Sequence, residues 1–177
     1  MNDRAMVHRR GMRGSLTTAR LDLHAVEPDD AEALHELFSD PQTHTIGDGP
    51  LLDIRETQSW ISRRQACRRE LGLCWYALRE RASRRLVGNC GVFAGRTGPD
   101  EPEVGYEISH AFRGVGYATE AAVAVVAECA RVGLPRVWAT VRPANTASLR
   151  VLEHLNMALN RSETDRKGVL HYLSRVP

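Results

Sequence analysis

The 177-residue chain lacks long hydrophobic runs. No stretch approaches the roughly 18 consecutive apolar residues that a membrane-spanning helix needs. Arginines stand at positions 4, 9, 10 and 13, but no apolar segment of the kind found in a secretory signal follows them. We therefore expect a protein that is neither exported nor inserted in a membrane.

Cysteine is also scarce. The four cysteines, Cys67, Cys74, Cys90 and Cys129, form no Cys-x-x-Cys pair, and the histidines do not cluster near them. This spacing argues against a disulfide framework and against a cysteine-histidine metal site. Reduced thiols are typical of the cytoplasm. The sequence thus predicts a cytoplasmic protein without a bound metal.

The chain also lacks a strong excess of one charge. It has 24 basic and 22 acidic residues, a formal net charge of +2, and Lys167 as its single lysine. Without a large basic field, we do not expect nucleic acid as the main partner. The length suits one domain. We expect residues 1–15 to form a disordered leader, with Met6 or Met12 a possible true start, and residues 16–177 to form one domain without internal repeats.

Hydrophobic periodicity predicts seven strands and four helices in the order β-α-α-β-β-β-α-β-α-β-β. The predicted strands cover residues 20–26, 73–79, 85–93, 103–108, 136–141, 157–163 and 169–176. The predicted helices cover residues 28–39, 53–69, 118–132 and 146–155, and a loop is expected over residues 95–102. Because strands and helices alternate only in part, the order favours a mixed α/β sheet with helices on both faces.

The most informative stretch is residues 103–121, EVGYEISHAFRGVGYATEA. Its first half alternates as a strand does, and a glycine-bearing turn then opens into an alanine-rich helix. The first turn of a helix has backbone N–H groups without internal partners, and glycines at 114 and 116 let an anion approach them. The pattern predicts a phosphate cradle, although the two glycines could also serve only a tight turn.

Two other phosphate loops do not fit this stretch. A P-loop ends in Gly-Lys-Ser/Thr, where this chain has Gly116-Tyr117-Ala118. A dinucleotide fingerprint needs a third Gly or Ala where Thr119 stands, and an acid near the end of the next strand, where residues 136–142 contain none. The sequence therefore argues against a nucleotide-binding oxidoreductase.

Arg113-x-x-Gly116-x-Ala118 resembles the pyrophosphate-binding signature of the GNAT superfamily of acetyl-CoA-dependent N-acetyltransferases. The EVGY motif at residues 103–106 and the segment NTASLRVLE at residues 145–153 are similar to the branch with the ribosomal-protein-alanine acetyltransferases. The resemblance covers roughly residues 16–176. It implies a GNAT-like, mostly antiparallel sheet of six to seven strands, and direct acetyl transfer to an amine in a ternary complex.

The resemblance also implies which residues bind acetyl-CoA. The pyrophosphate would lie on Arg113, Gly114, Val115, Gly116, Tyr117, Ala118 and Thr119, the backbone of Ile108 and His110 would pair with the pantetheine arm, and Asn145 would contact the pantetheine. The Arg113 side chain could instead be an exposed turn residue. Asn145 is equally suited to cap the helix that follows it.

By the same resemblance, Glu103 is the expected base, directly or through water. Glu107 lies on the same face of the strand, and either carboxylate could be a charge at the solvent edge. Ser148 is the expected proton donor to the departing thiolate, with Tyr172 a distant substitute. The loop before Asp53 borders the acceptor site in the family, but we expect His35 and His44 to be surface residues.

The acceptor amine must be neutral to attack a thioester. Neutralising an α-amine with a pKa near 7.7–8.0 at pH 7 costs about 1 kcal/mol, whereas a lysine with a pKa near 10.4 costs about 4–5 kcal/mol. One carboxylate base therefore favours a protein N-terminus as acceptor, with a small-molecule amine as the other possibility. The rival hypothesis is a non-catalytic acyl-CoA sensor, and a monomer or a homodimer would suit either function.

Overall fold

An eight-stranded sheet runs through the part of the chain that the computed structural model describes, residues 11–44 and 49–177. The strands are β1 (Ser15–Thr17), β2 (Leu21–Ala25), β3 (Trp75–Glu80), β4 (Leu86–Gly95), β5 (Gly98–Ile108), β6 (Val137–Val141), β7 (Ala158–Asp165) and β8 (Gly168–Arg175). The α-helices are α1 (Ala31–Ser39), α2 (Ile54–Leu71), α3 (Tyr117–Arg131) and α4 (Thr146–His154).

The strands lie in the order β1-β2-β3-β4-β5-β6-β8-β7. Every neighbouring pair is antiparallel except β5 and β6, which are parallel. The predicted mixed, mostly antiparallel sheet is confirmed. Its eight strands exceed the six or seven expected, because the three residues of β1 are too few to show a period in the sequence.

The start of the folded domain differs from the sequence expectation. Residues 1–10 of the expected leader lie outside the described residues. Residues 11–15, however, belong to the domain, since Met12 is buried and its N–H donates to the carbonyl oxygen of Gly72 at 2.9 Å. The hydroxyl of Tyr76 also donates to the Arg13 carbonyl oxygen at 2.8 Å. These contacts lie about 60 residues apart in sequence, which local patterning does not reveal.

The loop expected over residues 95–102 is wrong. Strand β5 already begins at Gly98, which pairs with Gly95, and the two strands form a hairpin. Pro99 and Pro102 hid this strand from sequence reasoning, because proline weakens a strand prediction. Gly98 takes a φ of +87°, the left-handed conformation that the hairpin turn requires.

Local signals set the helix ends as the sequence predicted. Asp53 and Glu56 form a reciprocal capping box at the start of α2. After α4, Asn156 adopts a left-handed φ of 53°, a conformation that asparagine tolerates better than most residues. Capping chemistry needs only neighbouring residues, which explains why these boundaries could be read from the sequence.

Two buried clusters show how the helices cover the sheet. One cluster joins strand residues to α3 and α4, with Ala121, Val125 and Leu152 among its members. The other joins α1 and α2 to the opposite face, through Phe38 and Ile61. Helices therefore lie on both faces of the sheet, as predicted.

Strand β4 packs against β3 too closely for side chains at some positions. A Cβ atom built on Gly91 would lie 2.4 Å from the Cα of Trp75 and 2.6 Å from the carbonyl oxygen of Cys74. Neighbouring backbone atoms cannot move aside as a flexible side chain can. Glycine is therefore required at this position by packing.

We expect Gly91→Ala to lower the free energy of unfolding by about 3 kcal/mol, since the added methyl overlaps backbone atoms. Gly98→Ala is the matched control. A Cβ there meets nothing within 4 Å, so only the left-handed backbone is penalised, at about 1 kcal/mol. Urea unfolding of both variants measures the difference. Equal losses would contradict the packing argument.

Candidate active site

A gap in the sheet opens between β5 and β6. The two strands share one registered pair, Glu103 with Trp138, whereas β5 remains paired with β4 as far as Ile108. The N–H of Ser109 donates to Val87 on β4. Because backbone groups alternate in direction along a strand, those of Ile108 face the gap. An extended ligand could therefore pair with this open edge.

The predicted phosphate cradle lies at the start of α3. Gly114 and Gly116 take left-handed φ values of +81° and +90°, and Gly116 is the N-cap of the helix. No side chain caps this helix end. The N–H groups of the loop and first turn therefore remain available to an anion, and the helix dipole makes this end positive. The predicted turn and helix start are confirmed as backbone structure.

The cation beside the cradle is Arg20, which sequence reasoning missed. Its Nη1 donates to the carbonyl oxygen of Val115 at 2.9 Å, and its Nε donates to Glu120 at 2.7 Å. Its guanidinium lies over the ring of Tyr117, 4.7 Å from the centroid. Arg20 is about 95 residues from the loop in sequence, so no local pattern could have placed it there.

Arg113 is an exposed residue, as considered, and its guanidinium also bonds to two backbone carbonyl oxygens. Its Nε donates to the carbonyl oxygen of Ile108 at 3.1 Å, and its Nη2 donates to that of Thr43 at 2.8 Å. The side chain thus joins the end of β5 to the loop after α1. The N–H of His110, expected to pair with pantetheine, donates instead to the Thr43 hydroxyl at 2.8 Å.

Two predicted residues meet at the start of α4. The side chain of Asn145 caps the helix by accepting the N–H of Ser148 at 3.1 Å. The hydroxyl of Ser148 lies 2.8 Å from that of Tyr106 on β5, so a hydrogen bond joins β5 to the start of α4. Tyr106 stands in the EVGY motif of the strand, and sequence reasoning assigned it no role in the chemistry. The alternation placed it on this face, but not opposite Ser148.

Burial raises the pKa of Tyr106 well above its usual range. Desolvation disfavours the phenolate, and the hydrogen bond to Ser148 offsets this only in part. Tyr106 therefore keeps its proton at neutral pH. It can act as a donor to Ser148, whose carbonyl oxygen also lies 3.1 Å from the Tyr106 hydroxyl.

Glu103 is buried, with 1% of its surface exposed. One carboxylate oxygen accepts the N–H of Arg96, and the other accepts the hydroxyl of Thr140 at 2.9 Å. It is therefore not a charge at the solvent edge. Both oxygens are engaged by the protein itself, which is the arrangement that a buried carboxylate needs for stability.

Glu107 pairs with His44, which we had expected to lie at the surface. That expectation is wrong: Nδ1 of His44 lies 2.9 and 3.1 Å from the two oxygens of Glu107, and the side chains are only 13% and 9% exposed. The chain reaches this position because the loop after α1 is held by Thr43. The N–H of Thr43 donates to the Asp40 carbonyl oxygen, and the Thr43 hydroxyl accepts the N–H of His110.

A cavity of about 380 Å³ adjoins His44. It lies between α1, the segment that follows it and α2. Its lining combines apolar and aromatic side chains with polar and charged ones: Phe38, His44, Leu51, Arg55, Glu56, Ser59, Trp60 and Arg63. The cavity is large enough for a side chain or a small amine, and the expected acceptor loop forms part of its wall.

Asn89 adds an unpaired donor to the same face of the sheet. It lies directly opposite Glu107 in the β4–β5 register and is 2% exposed. Its oxygen accepts the indole N–H of Trp75 at 3.0 Å, but its amide nitrogen has no partner among the described residues. Buried donors of this kind are uncommon in proteins and often mark a ligand or water site.

The described residues show neither a metal site nor a membrane span. Across residues 11–44 and 49–177, no group of three or more His, Cys, Asp or Glu side chains could hold a metal ion. Within the same ranges, no helix combines the length and apolar character needed to cross a bilayer.

Comparison with known proteins identifies relatives over most of the chain. YkkB from Bacillus subtilis, an uncharacterised protein, is 31% identical over 159 residues, which cover 86% of this chain and 88% of YkkB. A protein from Bordetella pertussis, described as a GnaT-family acetyltransferase, has a solved structure similar to this one. The TM-score is 0.82 at 22% identity, with 93% of this chain and all of that chain covered.

RimL, a ribosomal L7/L12 α-N-protein acetyltransferase solved in complex with coenzyme A, has the same fold. Its TM-score is 0.79 at 18% identity, and the match covers 91% of this chain and 96% of RimL. The acetyltransferase (GNAT) domain model matches residues 20–158. Since this match spans most of the sequence, the chain belongs to the GNAT acetyltransferase family.

Proposed function

We propose that the protein transfers an acetyl group from acetyl-CoA to a primary amine, directly and in a ternary complex. The observation that carries the proposal is the gap between β5 and β6, which has the open helix end of α3 on one side and the Tyr106–Ser148 pair on the other. A held thioester and a proton donor for its thiolate are two requirements of acetyl transfer.

The coenzyme would bind along this gap. Its pyrophosphate would accept N–H groups of residues 114–119, with Arg20 adding charge beside them. Its pantetheine arm would pair with the edge of β5 at Ile108, whose carbonyl keeps a second lone pair beyond its bond to Arg113. Pairing through the backbone N–H of His110 would require this N–H to break its hydrogen bond to the Thr43 hydroxyl. The RimL structure of the same fold, which contains coenzyme A, supports binding of this coenzyme.

The acceptor would enter from the cavity side. Its neutral nitrogen would attack the thioester carbonyl carbon, the carbon–sulfur bond would break, and the sulfur would take a proton from Ser148. The Tyr106 hydroxyl would hold the Ser148 oxygen by a hydrogen bond across their 2.8 Å contact, and Ser148 would regain its proton from solvent. A backbone N–H of β5 would stabilise the oxyanion. Glu103 as base remains a prediction, set against the two hydrogen bonds that already engage its oxygens.

An N-terminal α-amine is the favoured acceptor, because deprotonating it at pH 7 costs less free energy than deprotonating a lysine side chain. The fold similarity to an α-N-protein acetyltransferase supports this preference without establishing it. A small-molecule amine is the other candidate. The cytoplasmic location and the monomeric or dimeric state remain predictions.

A mass-spectrometric screen for acetylated products tests donor, chemistry and acceptor together. The protein is incubated with acetyl-CoA and a panel of peptides with free N-termini, N-terminally blocked lysine peptides and small amines. We expect acetylated α-amines and stoichiometric release of free coenzyme A. Binding of acetyl-CoA without any product would favour the sensor hypothesis instead.

We expect Gly116→Ala to weaken acetyl-CoA binding about tenfold. A side chain disfavours the φ of +90°, so the loop would turn its N–H groups away from the pyrophosphate. Gly133→Ala is the matched control, since it imposes similar strain, at a φ of +76°, beyond the opposite end of α3. Calorimetric titration gives both affinities. Equal weakening by the two variants would refute the cradle.

We expect Ser148→Ala to lower kcat about 10²-fold at unchanged acetyl-CoA affinity, since it removes the proton donor. Tyr106→Phe should give a smaller loss of kcat, because Ser148 remains but loses its hydrogen-bond partner. Ser62→Ala, at an exposed helical serine on α2, should leave both constants unchanged. Steady-state kinetics would contradict these roles if Ser148→Ala raised only KM.

A further inference from the structure

We propose that His44, held by Glu107, is the base that removes the proton from the acceptor amine. The proposal rests on the proposed acetyl transfer and assigns its proton acceptor. The strongest alternative is Glu103, whose carboxylate is 1% exposed and bonded through both oxygens. For Glu103 to reach an amine, it would have to break contacts that hold β5, β6 and the β4–β5 turn together.

The contact between His44 and Glu107 leaves one ring nitrogen free to react. Both carboxylate oxygens lie within 3.1 Å of Nδ1, so the neutral ring should carry its proton there and present Nε2 as an acceptor. Among the described residues, Nε2 has no hydrogen-bond partner. The T-shaped contact with Phe38, 5.2 Å between ring centroids, further restricts the imidazole.

The position of the pair suits an acceptor that comes from the cavity. His44 is part of the cavity wall, while Glu107 belongs to the strand that borders the gap. Tyr106, next to Glu107 in sequence, points to the opposite face and contacts Ser148. Base and acid would thus lie on the two sides of one strand edge, with the thioester between them.

The unpaired amide of Asn89 is an independent observation on the same face. It lies opposite Glu107 and is buried without a partner for its nitrogen among the described residues. A carbonyl oxygen of the acceptor, or a water bound beside it, would satisfy this donor. A merely structural His44–Glu107 pair would leave it unexplained.

Other charged groups face His44 from the elements packed around it. They are Arg55, Glu56 and Arg63 on α2, Asp40 at the end of α1, and His110 and Arg113 after β5. The side chains of Asp40 and Arg113 bond to Thr43 rather than to the His44 imidazole, and Arg55 pairs with Asp53. Glu107 is therefore the carboxylate that contacts the imidazole.

The proton balance of the step is complete. Nε2 of neutral His44 takes one proton from the ammonium form of the acceptor, and the nitrogen lone pair forms the bond to the acetyl carbon. The proton that the nitrogen loses after attack passes to solvent, and the sulfur receives its proton from Ser148. His44 then releases its proton to solvent and Ser148 takes one back from solvent, so each turnover releases one proton. No oxidant, metal or further co-reactant is needed.

The test uses His44→Gln, Glu107→Gln and the control His24→Gln at an exposed histidine of β2. At pH 7 we expect His44→Gln to lower kcat about 10²-fold and Glu107→Gln about tenfold, with acetyl-CoA affinity unchanged in both. At pH 9 the α-amine is already neutral, so the deficit of His44→Gln should shrink to about tenfold or less. His24→Gln should behave as wild type.

Chemical rescue separates catalysis from structure. Added imidazole should restore part of the lost kcat of His44→Ala, whereas a role in folding or positioning alone would show no rescue. The acceptor for these measurements is a peptide that the wild-type protein acetylates.

Two outcomes overturn the assignment, and they are distinguishable. If the wild-type protein acetylates no amine in the panel, the proposed function fails and the assignment of His44 fails with it. If the wild type is active and His44→Gln keeps its kcat at pH 7 while Glu103→Gln loses activity, only the assignment of the base fails. In that case Glu103 would be the base despite its two hydrogen bonds.

Discussion

The buried carboxylate of Glu103 holds the sheet together at the point where it divides. Its oxygens accept the N–H of Arg96 in the β4–β5 turn and the hydroxyl of Thr140 on β6, and its own residue forms the single registered pair between β5 and β6. Burying a carboxylate is costly unless its oxygens are bonded. The network meets that requirement and defines where strand pairing ends and the gap begins.

The rest of the site is arranged around that gap. Strand β5 sends alternate side chains to opposite faces, so Tyr106 reaches Ser148 on the α4 side while Glu107 reaches His44 on the α1–α2 side. The open helix end of α3 lies beyond the end of the same strand. A single strand thus positions the proposed acid, the proposed base and the coenzyme edge, which explains how a compact chain assembles a two-substrate site.

Much of the fold could be predicted because its signals are local. Alternation marked β5, the capping box at Asp53 marked α2, and Asn156 marked the end of α4. The glycines at 114 and 116 indicated the cradle from their spacing before a helix. Local signals failed where a proline-bearing segment became a strand at residues 98–102, and where Met12 joined the core through contacts far away in sequence.

The sequence by itself determined the order of all elements after β1, most helix boundaries, the glycine turn before α3 and the family, since each depends on short motifs whose chemistry acts between near neighbours. Only the tertiary structure decided which side chains meet: Arg20 beside the cradle, Tyr106 with Ser148, Thr140 with Glu103, and His44 with Glu107. These pairs lie about 35 to 95 residues apart. Their distances follow from strand order and register, which arise when the two faces of the sheet are buried together.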